Sequence, residues 1–326
     1  MQGLVTVFGG SGFVGAQIVR ALARRGRRVR VAVRSPGRGY RLRMLGDVGQ
    51  IEVVQANIRN GASIGRALEG AEGCVNAVGV LYESGRQRFA ALHVEGARAV
   101  AKAAAARDIE RVVHISALGA DADSPSAYGR SKAAGEAAVR EAAPAATIVR
   151  PSLVFGPDDH FFNRFAALAT LSPVLPLIGG GRTLFQPVFV GDVASGVARA
   201  LDEPAAAGRL YEFGGPAVYS FRQLMELTLK EIGRRRLLAP VPFFAARLIG
   251  TAGDAMAMAG LPPPLTSDQA ALLRRDSIVS PGALTLSDLG VAASAVEPVI
   301  PTYLYRYRKA GQYAVPTLEG GDVRAV

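Results

Sequence analysis

The chain has 326 residues, of which 49% are hydrophobic and 7% aromatic, and it carries a formal net charge of +11. This length suits one large domain or two modest ones, and the charge favours anionic partners such as nucleotide phosphates, lipid headgroups or an acidic protein face. The single cysteine, Cys74, excludes a disulfide framework and favours a reducing compartment, and no charge-free apolar stretch reaches the roughly 18 residues of a transmembrane helix.

Short apolar runs alternate with helical patterns through the first half of the chain. Strands are predicted over six segments: 4–9, 27–34, 51–57, 73–79, 111–116 and 146–152. Helices are predicted between them, notably over 13–26, 87–107 and 126–142. This alternation predicts right-handed βαβ units, and therefore an α/β fold with a Rossmann-type, doubly wound parallel sheet.

The pattern changes after Pro151. Further elements are predicted over 184–201 (strand, turn, helix), 209–215 (strand) and 220–233 (helix). We predict a Rossmann domain over 1–150, a smaller mixed α/β C-terminal lobe over 151–311 that is interleaved with the last strands, and a loose tail over 312–326.

The sequence GGSGFVG (9–15) follows the first strand and opens the first helix, which is the context that a dinucleotide-binding loop requires. Gly9 would permit the tight turn, Gly12 the approach of a pyrophosphate, and Gly15 close packing of the helix. The helix N-terminus would supply amide N–H groups and a positive dipole end. The other loop residues are expected to contact the same cofactor: Gly10, Ser11, Phe13 and Val14.

The end of the second strand selects between the two nicotinamide cofactors. An NAD site usually has an acidic residue there, whereas this chain has Arg34 and Ser35, followed by Arg38. A guanidinium suits the 2′-phosphate of NADP, so NADPH is the predicted cofactor. Most of the other arginines nearby are interpreted as a solvated basic face.

Further cofactor contacts are predicted at the ends of later strands. Asn57 and Ile58 would lie near the adenine, and residues 76–79 would border the ribose and nicotinamide; ordinary turn chemistry at strand ends is the less favoured alternative. The predicted contacts from these segments and from the sixth strand are Asn57, Ile58, Ala77, Val78, Gly79, Pro151 and Val154.

The sequence YGRSK (128–132) places Tyr128 and Lys132 four residues apart on one face of a predicted helix. A Tyr and a Lys beside a nicotinamide form the proton-donating pair of a reductase. The same two groups also bind ribose hydroxyls well without any chemistry. Ser116, at the end of the fifth strand, is the third residue that we associate with this pair.

These residues together resemble the short-chain dehydrogenase/reductase superfamily of the extended or atypical kind. The resemblance implies that Tyr128 is the acid, that Lys132 lowers its pKa and holds the nicotinamide ribose, and that Ser116 orients a carbonyl. The segments RPSLVFGPDDHFFNRFA (150–166), LPLIGGGRTLFQPVFVGDVA (175–194) and YEFGGPAVYSFRQLM (211–225) look like the nucleotide-binding accessory subunit of respiratory complex I.

That closer resemblance implies a firmly held NADPH without hydride transfer, on a protein at the junction of the hydrophilic and membrane arms of complex I. Two departures from active reductases agree with it: His93 stands where many members have Asn, and the 116–128 segment is short. No confident catalytic residue is therefore assigned. The alternatives are a soluble NADP-dependent reductase or sugar-nucleotide epimerase, and a binding protein that senses NADPH without turnover.

The expected location follows from composition and from two C-terminal segments. Abundant Ala, Arg and Gly indicate a bacterial genome rich in G and C, and a strand beginning almost at Met1 leaves no room for a signal peptide. The apolar 241–265 segment is interpreted either as core or as a face for a partner or lipid, and the Tyr- and Arg-rich 303–313 segment is interpreted as an interface.

We accordingly expect a peripheral protein on the cytoplasmic side of a bacterial inner membrane. Its expected partners are other complex I subunits and anionic lipid headgroups. Neither nucleic acid nor a metal is expected, because aromatic residues are not interleaved with the basic stretch and the three histidines lack ligand spacing.

Overall fold

The computed structural model describes residues 2–313. Val-rich segments in the first half form buried strands, as expected for a parallel sheet that is covered on both faces. The strands are β1 Gln2–Phe8, β2 Arg27–Val33, β3 Ile51–Gln55, β4 Gly73–Asn76, β5 Arg111–Ile115, β6 Thr147–Pro151, β7 Val154–Phe155, β8 Val174–Ile178, β9 Leu184–Phe185, β10 Val188–Phe189, β11 Leu210–Phe213, β12 Tyr219–Ser220 and β13 Leu237–Val241.

Several helices begin at polar residues that cap them. Ser126 and Asn60 each accept a hydrogen bond from the first turn of the helix that follows, and Ser220 and Thr266 each form a capping box with a Gln three residues on. The helices are α1 Phe13–Arg24, α2 Gly61–Ala67, α3 Gly96–Ala105, α4 Ala127–Ala142, α5 Phe162–Leu171, α6 Val190–Asp202, α7 Phe221–Glu231, α8 Phe243–Met258, α9 Ser267–Leu272 and α10 Pro301–Leu304.

Seven strands form one parallel sheet in the order β3-β2-β1-β4-β5-β6-β11. The predicted Rossmann-type fold is therefore confirmed. One face of the sheet packs against α1 and α6, and the other packs against the helices α2, α3 and α4. The strand order reverses between β1 and β4, and ligands bind at the carboxyl ends of the strands beside such a switch point.

The seventh strand comes from the second half of the chain. β11 pairs with β6, with Leu210 opposite Ile148 and Phe213 opposite Pro151. α6, which also follows residue 150, packs on the same face as α1. The chain after residue 150 therefore completes the sheet before it finishes the smaller lobe, and the division at that residue stays a prediction.

The smaller lobe has a separate aromatic core. Phe155, Phe162, Phe185 and Phe221 pack there with Tyr303 from the C-terminal region. Three two-stranded pairings, β7 with β10, β9 with β12, and β8 with β13, surround this core. The predicted tail falls almost wholly outside the described residues.

Two segments differ from, or refine, the sequence prediction. The helix predicted over 87–107 begins as a π-helical turn, Ala90–Glu95, before α3. The 241–265 segment contains α8, which has exposed apolar side chains on its outer face. Among the described helices, none is both long enough and apolar enough to span a bilayer.

Candidate cofactor site

The glycine loop joins β1 to α1 at the carboxyl edge of the sheet. Gly9 has a φ of +78°, which only glycine adopts without strain, and its carbonyl accepts a hydrogen bond of 3.0 Å from the Gly12 N–H. A Cβ on Gly15 would lie 2.3 Å from the Gly9 oxygen, so α1 packs on the loop itself. No side chain caps α1, which leaves its first amides available to an anionic group such as the predicted pyrophosphate.

The remaining loop residues have distinct surroundings. Gly10 abuts β2, since a Cβ there would lie 2.8 Å from Val31 Cγ1. Val14 packs on the core beneath the loop, whereas Ser11 is half-buried at the tip of the loop. The ring of Phe13 reaches toward Gly156 after β7, which brings the two halves of the chain together beside the loop.

The three residues that are predicted to select the cofactor follow β2. Arg34, Ser35 and Arg38 are all exposed, and they lie at the same edge of the sheet as the glycine loop. A guanidinium in this position is free to reach a 2′-phosphate on an adenosine that lies across the switch point.

The two residues after β3 that are predicted to contact the cofactor are only partly accessible at the carboxyl edge of the sheet. Asn57 is half-buried, and its Oδ1 accepts hydrogen bonds from the main chain and the guanidinium of Arg59. Ile58 is buried, with its side chain against Gly96 of α3, so any contact of Ile58 with a nucleotide would come from its main chain.

Other predicted contacts border the nicotinamide half. Ala77 and Val78 are half-buried, and Gly79 is exposed, with a Cβ built on it 3.7 Å from Lys132 Nζ. The Pro151 carbonyl accepts a hydrogen bond from Leu118, and Val154 is half-buried in β7.

Tyr128 and Lys132 lie on the first turns of α4. Lys132 is buried, its Nζ donates to the Ile115 carbonyl at 2.9 Å, and burial lowers its pKa to about 8 against the opposing effect of Glu136. Burial, followed by the charge of Asp268, raises the pKa of Tyr128 to about 12. Burial and Asp268 thus oppose the lowering of this pKa by Lys132 that the family resemblance implies.

His93 occupies the buried space between these groups and the loop after β4. Its Nε2 accepts from the Val80 N–H at 3.1 Å, and its Nδ1 lies 2.9 Å from Ser131 Oγ, which donates to the Tyr128 carbonyl. Burial, together with the charge of Lys132, lowers the pKa of His93 to about 3. His93 is thus neutral, and both of its nitrogens are engaged.

Two buried polar atoms nearby have no partner. His114 and Ser116 are on the same face of β5, and neither His114 Nε2 nor Ser116 Oγ makes a hydrogen bond. The Asn76 amide lies 3.2 Å from His114 Nδ1, which leaves Nε2 as the protonated nitrogen. An unpaired buried hydroxyl beside Lys132 fits a site that is completed by a polar ligand.

These observations test whether the residues present fit a nicotinamide dinucleotide. The glycine loop and the uncapped α1 terminus suit the pyrophosphate, and Arg34 suits the adenosine half. Ser116 and Lys132 present donors where the ribose and nicotinamide would lie. The residues therefore fit the group at both ends. Among residues 2–313, no cluster of three or more His, Cys, Asp or Glu side chains has the arrangement of a metal site.

Sequence reasoning missed the support behind α4. Asp268, at the start of α9, accepts hydrogen bonds from the first residues of α4. On the other side of α4, Glu136 forms a bidentate pair of 2.8 and 2.7 Å with Arg150, which also lies 3.5 Å from Glu212 of β11. No local pattern signals these partners, because they lie far apart in the sequence.

The chain matches the model of the NAD dependent epimerase/dehydratase family over residues 5–214. It is 35% identical over 321 residues to the Arabidopsis thaliana protein "NADH dehydrogenase [ubiquinone] 1 alpha subcomplex subunit 9, mitochondrial", an alignment that covers 95% of this chain and 80% of the plant protein. It is 29% identical to the mitochondrial "NADH-ubiquinone oxidoreductase 40 kDa subunit" of Neurospora crassa, over 95% of this chain and 81% of the fungal protein.

Two other similarities concern proteins with enzyme names. The "Ceramide reductase" of Caulobacter vibrioides is 38% identical over 177 residues, which is 54% of each chain. The crystal structure of an Escherichia coli NADPH-dependent quinone oxidoreductase complexed with NADPH superposes with a TM-score of 0.70 at 19% identity, over 90% of this chain and 97% of that one. This second similarity supports the fold alone.

Proposed function

Because the chain belongs to the NAD dependent epimerase/dehydratase family and is similar along its length to subunits of mitochondrial complex I, we propose that it is a non-catalytic, NADPH-holding accessory subunit of a bacterial respiratory complex I. In this role the cofactor stabilises the fold and is not turned over. The subunit supports assembly or stability at the junction of the hydrophilic and membrane arms.

The observation that carries the non-catalytic part is the state of Tyr128. A general acid works best when its pKa lies near the operating pH, whereas burial and Asp268 move the pKa of this phenol to about 12. Lys132 Nζ makes one hydrogen bond, to the Ile115 carbonyl, and so keeps donors for a ribose, whereas His93 is neutral with both nitrogens engaged. In this proposal Tyr128 and Lys132 bind ribose hydroxyls without transferring a proton.

NADPH is preferred to NADH in this proposal because exposed Arg34 and Arg38, rather than an acidic residue, follow β2. When bound, NADPH supplies hydride chemistry in related folds; here, the residues of the chain serve to bind and orient it. The proposed location is the cytoplasmic side of the inner membrane, peripherally attached, with complex I subunits and anionic headgroups as partners.

The test is purification from bacterial membranes in a mild detergent. We expect complex I subunits among the co-purifying proteins by mass spectrometry, about one NADPH released per chain on denaturation, and no NADPH oxidation by the isolated protein. A protein found wholly in the soluble fraction, in cells whose complex I assembles normally without it, would contradict the proposal.

A second function is favoured by one specific observation. The chain is 38% identical over half its length to a protein named ceramide reductase, and it keeps Ser116, Tyr128 and Lys132. A soluble NADP-dependent reductase, or a sugar-nucleotide epimerase of the same family, would use these residues. NADPH oxidation that depends on an added carbonyl compound or sugar nucleotide would favour this alternative.

A further inference from the structure

The N-terminus of α4 is capped by a residue from another part of the chain. The Asp268 carboxylate accepts hydrogen bonds from the Ala127 N–H at 2.6 Å, the Tyr128 N–H at 3.1 Å and the Ser126 hydroxyl at 2.7 Å. Ser126 is itself the local cap of α4, since its Oγ accepts from the Gly129 N–H at 3.3 Å. Asp268 therefore satisfies first-turn amides that would otherwise lack a partner.

This cap acts on the turn that carries the nicotinamide-side residues. One bond is made to the Tyr128 amide itself, and Lys132 follows one turn later with its Nζ on the Ile115 carbonyl. Arg275, just beyond α9, pairs with Asp121 in the loop that leads into α4. The start of α4 is thus tied to the segment 268–275 at two points.

α9 is in turn fixed to α8. The main-chain N–H and hydroxyl of Ser267 donate to Asp254 of α8 at 3.2 and 2.5 Å. Gly250 lets α8 approach the start of α9, because a Cβ on it would lie 2.5 Å from the Ser267 nitrogen, and Gly253 lets α8 approach the preceding connection, where a Cβ would lie 1.8 Å from the Leu265 oxygen. The two helices form one unit, and the outer face of α8 is exposed and apolar.

We propose that Asp268 is a positioning residue that fixes Tyr128 and Lys132 for the nicotinamide-ribose half of the cofactor, and so couples the α8–α9 unit to cofactor affinity. This inference rests on the proposed binding of NADPH. By linkage, a partner that binds the α8–α9 unit and changes the affinity for NADPH must have its own affinity changed by NADPH by the same factor.

The inference is tested with the full chain carrying Asp268→Asn and two probes, NADPH and adenosine 2′,5′-bisphosphate, each measured by calorimetry. The bisphosphate occupies only the adenosine half, which Asp268 does not contact. We expect NADPH affinity to fall about five- to tenfold, as for a lost helix cap, and bisphosphate affinity to stay within about twofold. The Tyr128 phenol should also titrate at lower pH by absorbance, because a neighbouring negative charge is removed.

Two further variants guard against a folding artefact. Asp268→Glu keeps the negative charge. If Asp268→Asn destabilises the chain, Asp268→Glu should still recover part of the NADPH affinity that Asp268→Asn loses. Asp276→Asn changes a nearby carboxylate that accepts a hydrogen bond from the Leu184 N–H and not from α4. This variant should bind NADPH and the bisphosphate as tightly as the parent does. Equal losses for both probes, or no loss, would overturn the inference. A parent protein that binds neither probe would overturn the proposed function as well.

Discussion

The Nε2 atom of His93 accepts a hydrogen bond of 3.1 Å from the main-chain N–H of Val80. An amide can only donate, so Nε2 carries no proton, and the proton on Nδ1 is directed to Ser131. One neutral side chain thereby ties the loop after β4 to α4. The close approach of Gly135, whose Cβ would lie 2.1 Å from the His93 carbonyl oxygen, allows this arrangement.

This arrangement predicts a pH dependence of stability. Burial and Lys132 lower the pKa values of His93 and His114 to about 3, below the unfolded value of 6.5. The unfolded chain therefore binds more protons between these values, and stability falls as the pH drops below about 6.5. Each histidine should contribute a slope of about 1.4 kcal/mol per pH unit.

The measurement is urea unfolding at pH 7, 6 and 5, comparing the parent with His93→Gln. The variant should be less stable at pH 7, and its stability should fall about 1.4 kcal/mol per unit less steeply between pH 6 and 5. A slope equal to that of the parent would show that His93 is not held neutral in the folded protein.

A substitution in the glycine loop should weaken both the fold and nucleotide binding. Gly15→Ala would place a methyl group 2.3 Å from the Gly9 oxygen and 2.9 Å from Gly10 Cα, so the loop must move. We expect a loss of about 1–3 kcal/mol in the free energy of unfolding and weaker binding of NADPH. Gly61→Ala, in the first turn of α2 with open space around it, is the matched control and should be neutral.

Arg34 should determine the preference for NADPH. The parent should bind NADPH at least about tenfold more tightly than NADH, or about 1.4 kcal/mol, and Arg34→Ala should remove most of this difference. Arg24→Ala removes an exposed arginine at the far end of α1 and should leave the preference intact. Equal affinities of the parent for the two cofactors in calorimetry would contradict this assignment.

If Tyr128 serves only to bind ribose, its hydroxyl is dispensable for respiration. Tyr128→Phe should leave NADH:quinone oxidoreductase activity of membranes near the parent level and lower NADPH affinity by about one hydrogen bond, or about 0.5–1.5 kcal/mol. Turnover of NADPH by the isolated parent that Tyr128→Phe abolishes would instead establish catalysis.

Periodicity and local caps predicted most of the Rossmann half. The strands β1 to β6 and the helices α1 and α4 are where the alternating apolar runs, the helical patterns and the glycine loop place them. The two-residue strands β7 and β10 were not predicted, because only their mutual pairing defines them. The π-turn before α3 was also missed, and it places the His93 carbonyl oxygen 2.1 Å from where a Cβ on Gly135 of α4 would lie.

The candidate site, like the fold, has a part that the sequence predicted and a part that it did not. The glycine loop and the YGRSK sequence are local signals, and both are brought to the carboxyl edge of the sheet. The state of each group depends on distant residues, however. Asp268 lies 140 residues beyond Tyr128, and its bond to that amide sets an electrostatic environment that spacing cannot reveal.

In the C-terminal segments, only the structure distinguishes buried residues from exposed ones. Tyr303 is buried and donates to Asp159, whereas Tyr313 is exposed, so the 303–313 segment belongs partly to the core. Removing residues 241 onward would therefore take away Tyr303 and Asp268 and disrupt the lobe itself. A surface substitution on α8 is the better test of partner contact.

Phe244 and Leu248 lie one turn apart on α8, with 70% and 67% of their surfaces exposed. If α8 contacts complex I or the bilayer, the double variant Phe244→Ser with Leu248→Ser should fold normally and no longer co-purify with membranes. Because the contact is apolar, the parent should remain bound at high salt, unlike a protein held only by exposed charges. Val48→Ser removes a fully exposed apolar side chain from the loop before β3 and should co-purify as the parent does. Retention of the α8 double variant on membranes, with release of the parent by salt, would assign the attachment to the arginine-rich face instead.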